Sequence, residues 1–162
     1  MLVVHWPSAF FITFCTYCTH IHGDKRGTVD SEHNVYGTPV LNPDRVRLRM
    51  ERDLCKGDPV RLDSRQRVSV RETIKQVCAY RGWQLHAVNV RTNHVHVVVG
   101  ADVETEKVMA VFKSWATRRL VEDRLFPRGG RAWARNGSTG YLWKERDVAE
   151  ACEYVVNWQD VK

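Results

Sequence analysis

The sequence predicts an α+β fold: one antiparallel sheet of the ferredoxin-like or RRM-like kind, with helices on one face and a C-terminal helix that bears a tyrosine. Three observations lead there. Strand-like and helix-like segments follow one another in the order strand, long loop, helix, strand, strand, helix, strand, helix. Two β-rich runs are separated only by Arg91-Thr92-Asn93, the pattern of a hairpin. Two further segments carry apolar residues at helical spacing between capping signals.

Taken in order, Ala9 to Ile21 is rich in β-branched and aromatic residues with rough alternation, which predicts a buried first strand ending at Gly23-Asp24. Asp24 to Pro43 is polar, carries Gly27, Gly37, Pro39 and Pro43, and has no sustained period, so it reads as a long excursion. Asp44 to Leu54 reads as a short basic helix stopped by Lys56-Gly57-Asp58-Pro59. Asp63 or Ser64 caps a helix to about Tyr80, with Val70, Ile74, Val77 and Cys78 at helical spacing and Gly82 at its C-terminal end. Trp83 to Val90 and His94 to Val99 are the hairpin strands. Glu104 to Glu122 is a second helix with Val108, Val111, Phe112, Trp115 and Leu120 near one face, followed by the basic loop Arg128-Gly129-Gly130-Arg131. Trp133 to Trp143 fits one or two short strands around Gly137-Ser138, and Asp147 caps a last helix through about Trp158.

Composition narrows the class. The chain has 162 residues, 43 % hydrophobic and 27 % charged, with six tryptophans, which suits one globular domain over residues 1–162. No run approaches the roughly 20 apolar residues of a membrane span. Met1 to Cys18 lacks a basic leader and is broken by Pro7, Thr13 and Thr16, so a cytoplasmic protein is expected. The five cysteines, Cys15, Cys18, Cys55, Cys78 and Cys152, are odd in number and scattered, which predicts reduced thiols rather than a disulfide scaffold. The net charge of +6 is concentrated between Lys113 and Arg135, where seven basic residues face two acidic ones. Such a concentration attracts a polyanion such as nucleic acid, although a solvated basic helix and loop would look the same.

The sharpest chemical signal is Asn93-His94-Val95-His96-Val97-Val98-Val99. Residues i and i+2 of a strand share a face, so His94 and His96 project together and can hold one divalent metal. A His pair on a solvated strand face is the plain alternative. Cys15-Thr16-Tyr17-Cys18-Thr19-His20-Ile21-His22 offers a competing zinc reading, but Cys15 and Cys18 would face opposite sides of an extended strand.

The run Arg91-Thr92-Asn93-His94-Val95-His96-Val97-Val98-Val99 resembles the His-hydrophobic-His (HUH) motif of the single-tyrosine transposases, the insertion-sequence enzymes that act on single-stranded DNA, and of their domesticated relatives, the REP-associated tyrosine transposases. Phe11-Ile12-Thr13-Phe14-Cys15-Thr16-Tyr17 resembles their first strand, and Cys78-Ala79-Tyr80-Arg81-Gly82-Trp83 their helix-to-strand junction. Lys113-Ser114-Trp115-Ala116-Thr117-Arg118-Arg119-Leu120 and the final helix with Tyr154-Val155-Val156 extend the likeness over most of the chain.

The resemblance implies that His94 and His96 hold Mg²⁺ or Mn²⁺ and that Tyr154 is the nucleophile, forming a 5′-phosphotyrosine bond and a free 3′-OH. In the family a Gln or Asn four residues after the tyrosine usually completes the metal site, but here that position is Trp158. Ideal helical geometry favours Asn157 as a substitute, whereas the style of C-terminus favours Gln159; Glu150, one turn before Tyr154, is a further candidate. Water and DNA completing a two-His site is the alternative.

For DNA binding, Lys113, Arg118, Arg119, Arg128, Arg131 and Arg135 are the candidate phosphate contacts, Arg65, Arg67 and Arg71 a second strip, and Trp133, Tyr141 or Trp143 candidate stacking platforms. The implied partner is single-stranded DNA with hairpin ends, in a nucleoid-associated setting. A monomer and a homodimer that exchanges tyrosine helices are both compatible with the sequence. Three other readings compete: a non-catalytic single-stranded nucleic-acid-binding module, which would expose aromatics on its central strands, a decayed or domesticated transposase, and a replication initiator or relaxase, which usually needs a larger chain.

Overall fold

Every second side chain of β1 (Ala9–Thr16), from Phe10 to Thr16, is fully buried, and those between are partly covered, so the strand lies between two packed layers. This computed structural model describes residues 5–19 and 55–157. The expectations for Asp24–Pro43 and Asp44–Leu54, for His20 and His22, and for Trp158 and Gln159 fall outside the described residues. The remaining elements are α1 (Ser64–Arg81), β2 (Gln84–Val90), β3 (His94–Gly100), α2 (Thr105–Glu122), β4 (Trp133–Leu142) and α3 (Glu145–Asn157). The strands form one antiparallel sheet in the order β2-β3-β1-β4, the ferredoxin-like arrangement.

Local chemistry explains the elements. Asp63 and Gln66 form a reciprocal capping box, each side chain accepting from the other's backbone N–H at 2.8 Å. Gly82, at φ +70°, ends α1 in the left-handed region that glycine adopts without a Cβ clash, and the Trp83 N–H then reaches the Cys78 carbonyl at 2.9 Å. The hairpin closes where the Arg91 N–H donates to the His94 carbonyl.

The sheet carries two cores. Phe10, Ile12 and Phe14 of β1, with Val95, Val97 and Val99 of β3, pack against Val70, Ile74 and Val77 of α1 and Val108, Phe112, Ala116 and Leu120 of α2. Each such large side chain contributes roughly 1.5–3 kcal/mol by leaving water. On the opposite face Ala9, Ala87, Val98 and Leu142 meet Ala151 and Val155 of α3. The helices expected on one face are thus α1 and α2, and the tyrosine-bearing helix covers part of the other.

Several boundaries differ from the sequence expectation. β1 ends at Thr16 rather than Ile21. β4 is one strand of ten residues, not two; Gly137 is no turn residue but a point of close approach, where a Cβ would stand 2.5 Å from the Thr13 carbonyl and 2.7 Å from the Met109 sulfur. α3 begins at Glu145, two residues before the expected cap, and Asp147 sits in its first turn with its N–H on the Lys144 carbonyl.

The expectation of reduced thiols is also corrected: Cys18 and Cys55 form a disulfide. The chain returns to β1 at this point, where the Val60 N–H donates to the Tyr17 carbonyl and the Tyr17 hydroxyl bonds the Lys56 backbone. That return brings together two cysteines 37 residues apart, a proximity their spacing does not reveal. Cys15, Cys78 and Cys152 are not in disulfides. Among the described residues no helix is long and apolar enough to cross a membrane.

Candidate active site

Antiparallel register builds the site. β1 and β3 pair with Cys15 opposite His94 and Thr13 opposite His96, and β2 sets Asn89 opposite His96. Directly opposed residues share a face, so Phe11, Thr13, Cys15, Asn89, His94 and His96 all belong to the face that α3 partly covers. Their neighbours Ile12, Phe14, Val95 and Val97 turn toward α1 and α2.

The two imidazoles lie together, with ring centroids 4.6 Å apart; His96 is buried and His94 half-buried. Each Nδ1 is held by an oxygen. The Asn93 Oδ1 stands 2.7 Å from His94 Nδ1, and the Thr13 Oγ1 stands 2.7 Å from His96 Nδ1. A carbonyl oxygen only accepts, so the proton of a neutral His94 sits on Nδ1 and the lone pair on Nε2; the Thr13 hydroxyl can accept from His96 in the same tautomer or donate in the other. Oxygen partners on the second ring nitrogen are the arrangement that orients metal-ligating histidines, and two neighbouring imidazoles on one face are a donor set that fits a divalent cation. The Asn93 backbone is itself fixed, since its main-chain carbonyl accepts from the Thr16 N–H and hydroxyl at 2.9 and 3.1 Å.

Tyr154 comes to this face from sixty residues away in the chain. Its ring lies edge-on to His96, with centroids 6.1 Å apart, and edge-on to Phe11 at the same distance. Phe11 stacks on His96 at 5.6 Å, so the three rings form one cluster of mutual neighbours. Tyr154 remains 45 % exposed, accessible to a large substrate. Val155 beside it is fully buried in the smaller core, and the Asn89 Nδ2 donates to the Val155 carbonyl at 2.9 Å.

The structure brings His94, His96 and Tyr154 together but does not gather every candidate. Among the described residues no third His, Cys, Asp or Glu clusters with the His pair, so Glu150 does not join it. Asn157 is the exposed last residue of α3. Cys18 lies in the disulfide, which removes it from the zinc reading.

The basic residues divide by location. Lys113, Arg118 and Arg119 lie on α2, in the layer behind the sheet relative to Tyr154. Lys113 is turned inward. Its ammonium donates to the carbonyls of Ala134, Arg135 and Asn136 at 2.9, 3.4 and 3.2 Å and lies over the Phe14 ring. Those carbonyls belong to the irregular stretch of β4 where pairing jumps between Phe14 and Thr16, so the lysine satisfies acceptors the ladder leaves open. Burial pushes its pKa below the ordinary lysine value, an effect partly offset by Cys15. Arg118 lies over Trp115, and Arg119 pairs with Asp123 at 3.0 Å. Arg131 instead lies over Tyr17, whose N–H bonds the Ala132 carbonyl just beyond β1, at the end of the sheet where Cys15 faces His94. Arg128 and Arg135 are exposed on either side of it in sequence.

Of the candidate stacking aromatics, Trp133 is buried with its indole N–H on Lys113 O and Thr117 Oγ1, which removes it from that role. Tyr141 and Trp143 are half exposed. Sequence reasoning does not single out Phe11, Thr13, Asn89 or Asn93. Period-2 alternation in β1 groups Phe11 with Thr13, but their meeting with His96 depends on β1 pairing with β3.

A family model described as "Transposase IS200 like" matches residues 57–157. Among solved structures, the fold is similar to a REP-associated tyrosine transposase bound to a REP hairpin, with a TM-score of 0.54 and 11 % identity over 96 % of this chain and 68 % of that one. A candidate transposase from Deinococcus radiodurans is similar at a TM-score of 0.48 and 14 % identity, over 97 % of this chain and 95 % of that one. No curated protein matches the sequence.

Proposed function

The chain belongs to the family of IS200-like transposases, and on that premise we propose that it cleaves and rejoins single-stranded DNA through a phosphotyrosine intermediate at Tyr154. The observation that carries this reading is the edge-on approach of Tyr154 to His96, beside Phe11. In the proposed step the Tyr154 phenol loses its proton to water, and its oxygen attacks the scissile phosphorus. A 5′-phosphotyrosine bond forms while the 3′ oxygen leaves and takes up a proton. The 3′-OH of a second strand reverses the exchange, re-forming a phosphodiester and releasing Tyr154 without an external energy source.

His94 and His96 would hold Mg²⁺ or Mn²⁺ through Nε2, with Asn157 or Gln159 as the expected amide ligand. A cation bound there supplies Lewis-acid neutralisation of charge on the phosphate oxygens. The Asn93 and Thr13 contacts on Nδ1 orient both rings for that task. Because Tyr154 lies beside the His pair of its own chain, the geometry favours a site completed within one chain over a homodimer with exchanged helices. Arg131 is better located for a phosphate contact near the site than Lys113, Arg118 and Arg119, and Arg128 and Arg135 are exposed candidates beside it in sequence. A non-catalytic binding module is disfavoured: the exposed aromatics among the described residues are Trp6, Tyr80, Tyr141, Trp143 and Tyr154, none on β1 or β3.

The test is incubation with Mn²⁺ and labelled single-stranded DNA from the ends of the protein's own genetic locus, resolved on a denaturing protein gel. A covalent band that requires metal and disappears in Tyr154→Phe and His96→Ala is the expected result. DNA binding without an adduct under any divalent metal would overturn the catalytic reading and leave a decayed transposase or binding module.

A further inference from the structure

Tyr154 lies near the end of the described part of α3, which runs to Asn157. The carbonyl of the next residue, Val155, accepts a hydrogen bond from the sheet, from the Asn89 Nδ2 at 2.9 Å. Asn89 stands on β2 directly opposite His96, so one strand position links the histidine strand and the tyrosine helix. The Val155 side chain is fully buried in the smaller core. Apolar packing sets the height of the helix over the sheet but tolerates rotation and sliding, because it is non-directional. A hydrogen bond to the backbone of the residue after Tyr154 is directional and restricts both.

We infer that Asn89 is a positioning residue for the transposase reaction: its amide holds the tyrosine helix at the rotation that keeps the Tyr154 ring over Phe11 and against His96. This rests on the proposed role of Tyr154. The sequence places Asn89 in an unremarkable β run, Gln84-Leu85-His86-Ala87-Val88-Asn89-Val90. A polar amide next to buried Val90 has its explanation in a backbone carbonyl of a helix that arrives from the other end of the chain.

The experiment compares the wild-type protein with Asn89→Asp, which keeps the shape but removes the N–H donor, and with Asn89→Leu, which removes polarity altogether. Three quantities are read in each: the single-turnover rate of covalent adduct formation at saturating DNA with Mn²⁺, the affinity for the same DNA, and hydrogen–deuterium exchange in α3. The expected result is an adduct rate lower by about tenfold or more in both variants, with DNA affinity unchanged and faster exchange confined to the last turns of α3. An unchanged adduct rate would overturn the inference, as would a parallel fall in rate, affinity and protection across the sheet, which marks a general structural role. If wild-type protein forms no adduct, it is the reading of Tyr154 that fails; if wild type reacts and Asn89→Asp reacts equally fast, only the role of Asn89 fails.

Discussion

Replacing Lys113 with methionine separates two accounts of one residue. By sequence it is a phosphate contact in the basic segment; in the fold its ammonium serves three carbonyls of β4. The Ala134 bond is the shortest and partly buried, and a hydrogen bond from a charged donor is worth roughly 1.5–3 kcal/mol. The Arg135 and Asn136 carbonyls are in exposed contacts and can turn to water, so little is added for them. Methionine keeps much of the apolar stem and recovers the cost of desolvating the ammonium, a cost visible in the lowered pKa. The net loss is about 1–2 kcal/mol, which at roughly 2–4 °C per kcal/mol for a domain of this size lowers the melting temperature by about 2–8 °C. Thermal melting and salt-dependent binding of single-stranded DNA are measured on the same preparations. An unchanged melt, with weaker DNA binding and a salt slope reduced by about one, would refute the reasoning and restore Lys113 to the DNA.

Three further outcomes are expected. Thr13→Val removes the oxygen partner of His96 at constant shape and should weaken Mn²⁺ binding by about 10- to 100-fold, as titrated by electron paramagnetic resonance; unchanged affinity would remove Thr13 from the site. Gly137→Ala forces a Cβ against the Thr13 carbonyl, which as backbone in the central strand cannot yield, and should cost about 1–3 kcal/mol in urea unfolding. Burial raises the Cys78 thiol to about 11 from 9.0, so above pH 9 the unfolded chain gives up this proton while the folded one retains it. Its contribution is therefore complete below pH 9 and lost as pH rises toward 11, and Cys78→Ala should flatten that part of the stability profile. Lys113 works in the opposite direction, its lowered pKa making stability rise with pH in the window below 10.5, so the two are best separated in the Lys113→Met background.

The sequence by itself determined the element order, a cap at Asp63 or Ser64, the glycine end of α1, the hairpin and the shared face of His94 and His96. These depend on neighbours a few positions apart, where helical or strand periodicity and capping chemistry act. The resemblance to the single-tyrosine transposases also singled out Tyr154 as the expected nucleophile before any contact was visible. Only the tertiary structure decided which neighbours act on those groups. Thr13 meets His96, and Asn89 meets the Val155 carbonyl, because β1 and β2 flank β3 in the sheet, a pairing that separation along the chain does not encode. Lys113 turns inward because an irregularity in β4 leaves carbonyls open, and Cys18 finds Cys55 because the chain returns to the end of β1. Charge counting and cysteine counting misread these residues for one physical reason: hydrogen bonding, desolvation and disulfide formation depend on distance in space, and for residues so far apart in the chain the fold alone sets that distance.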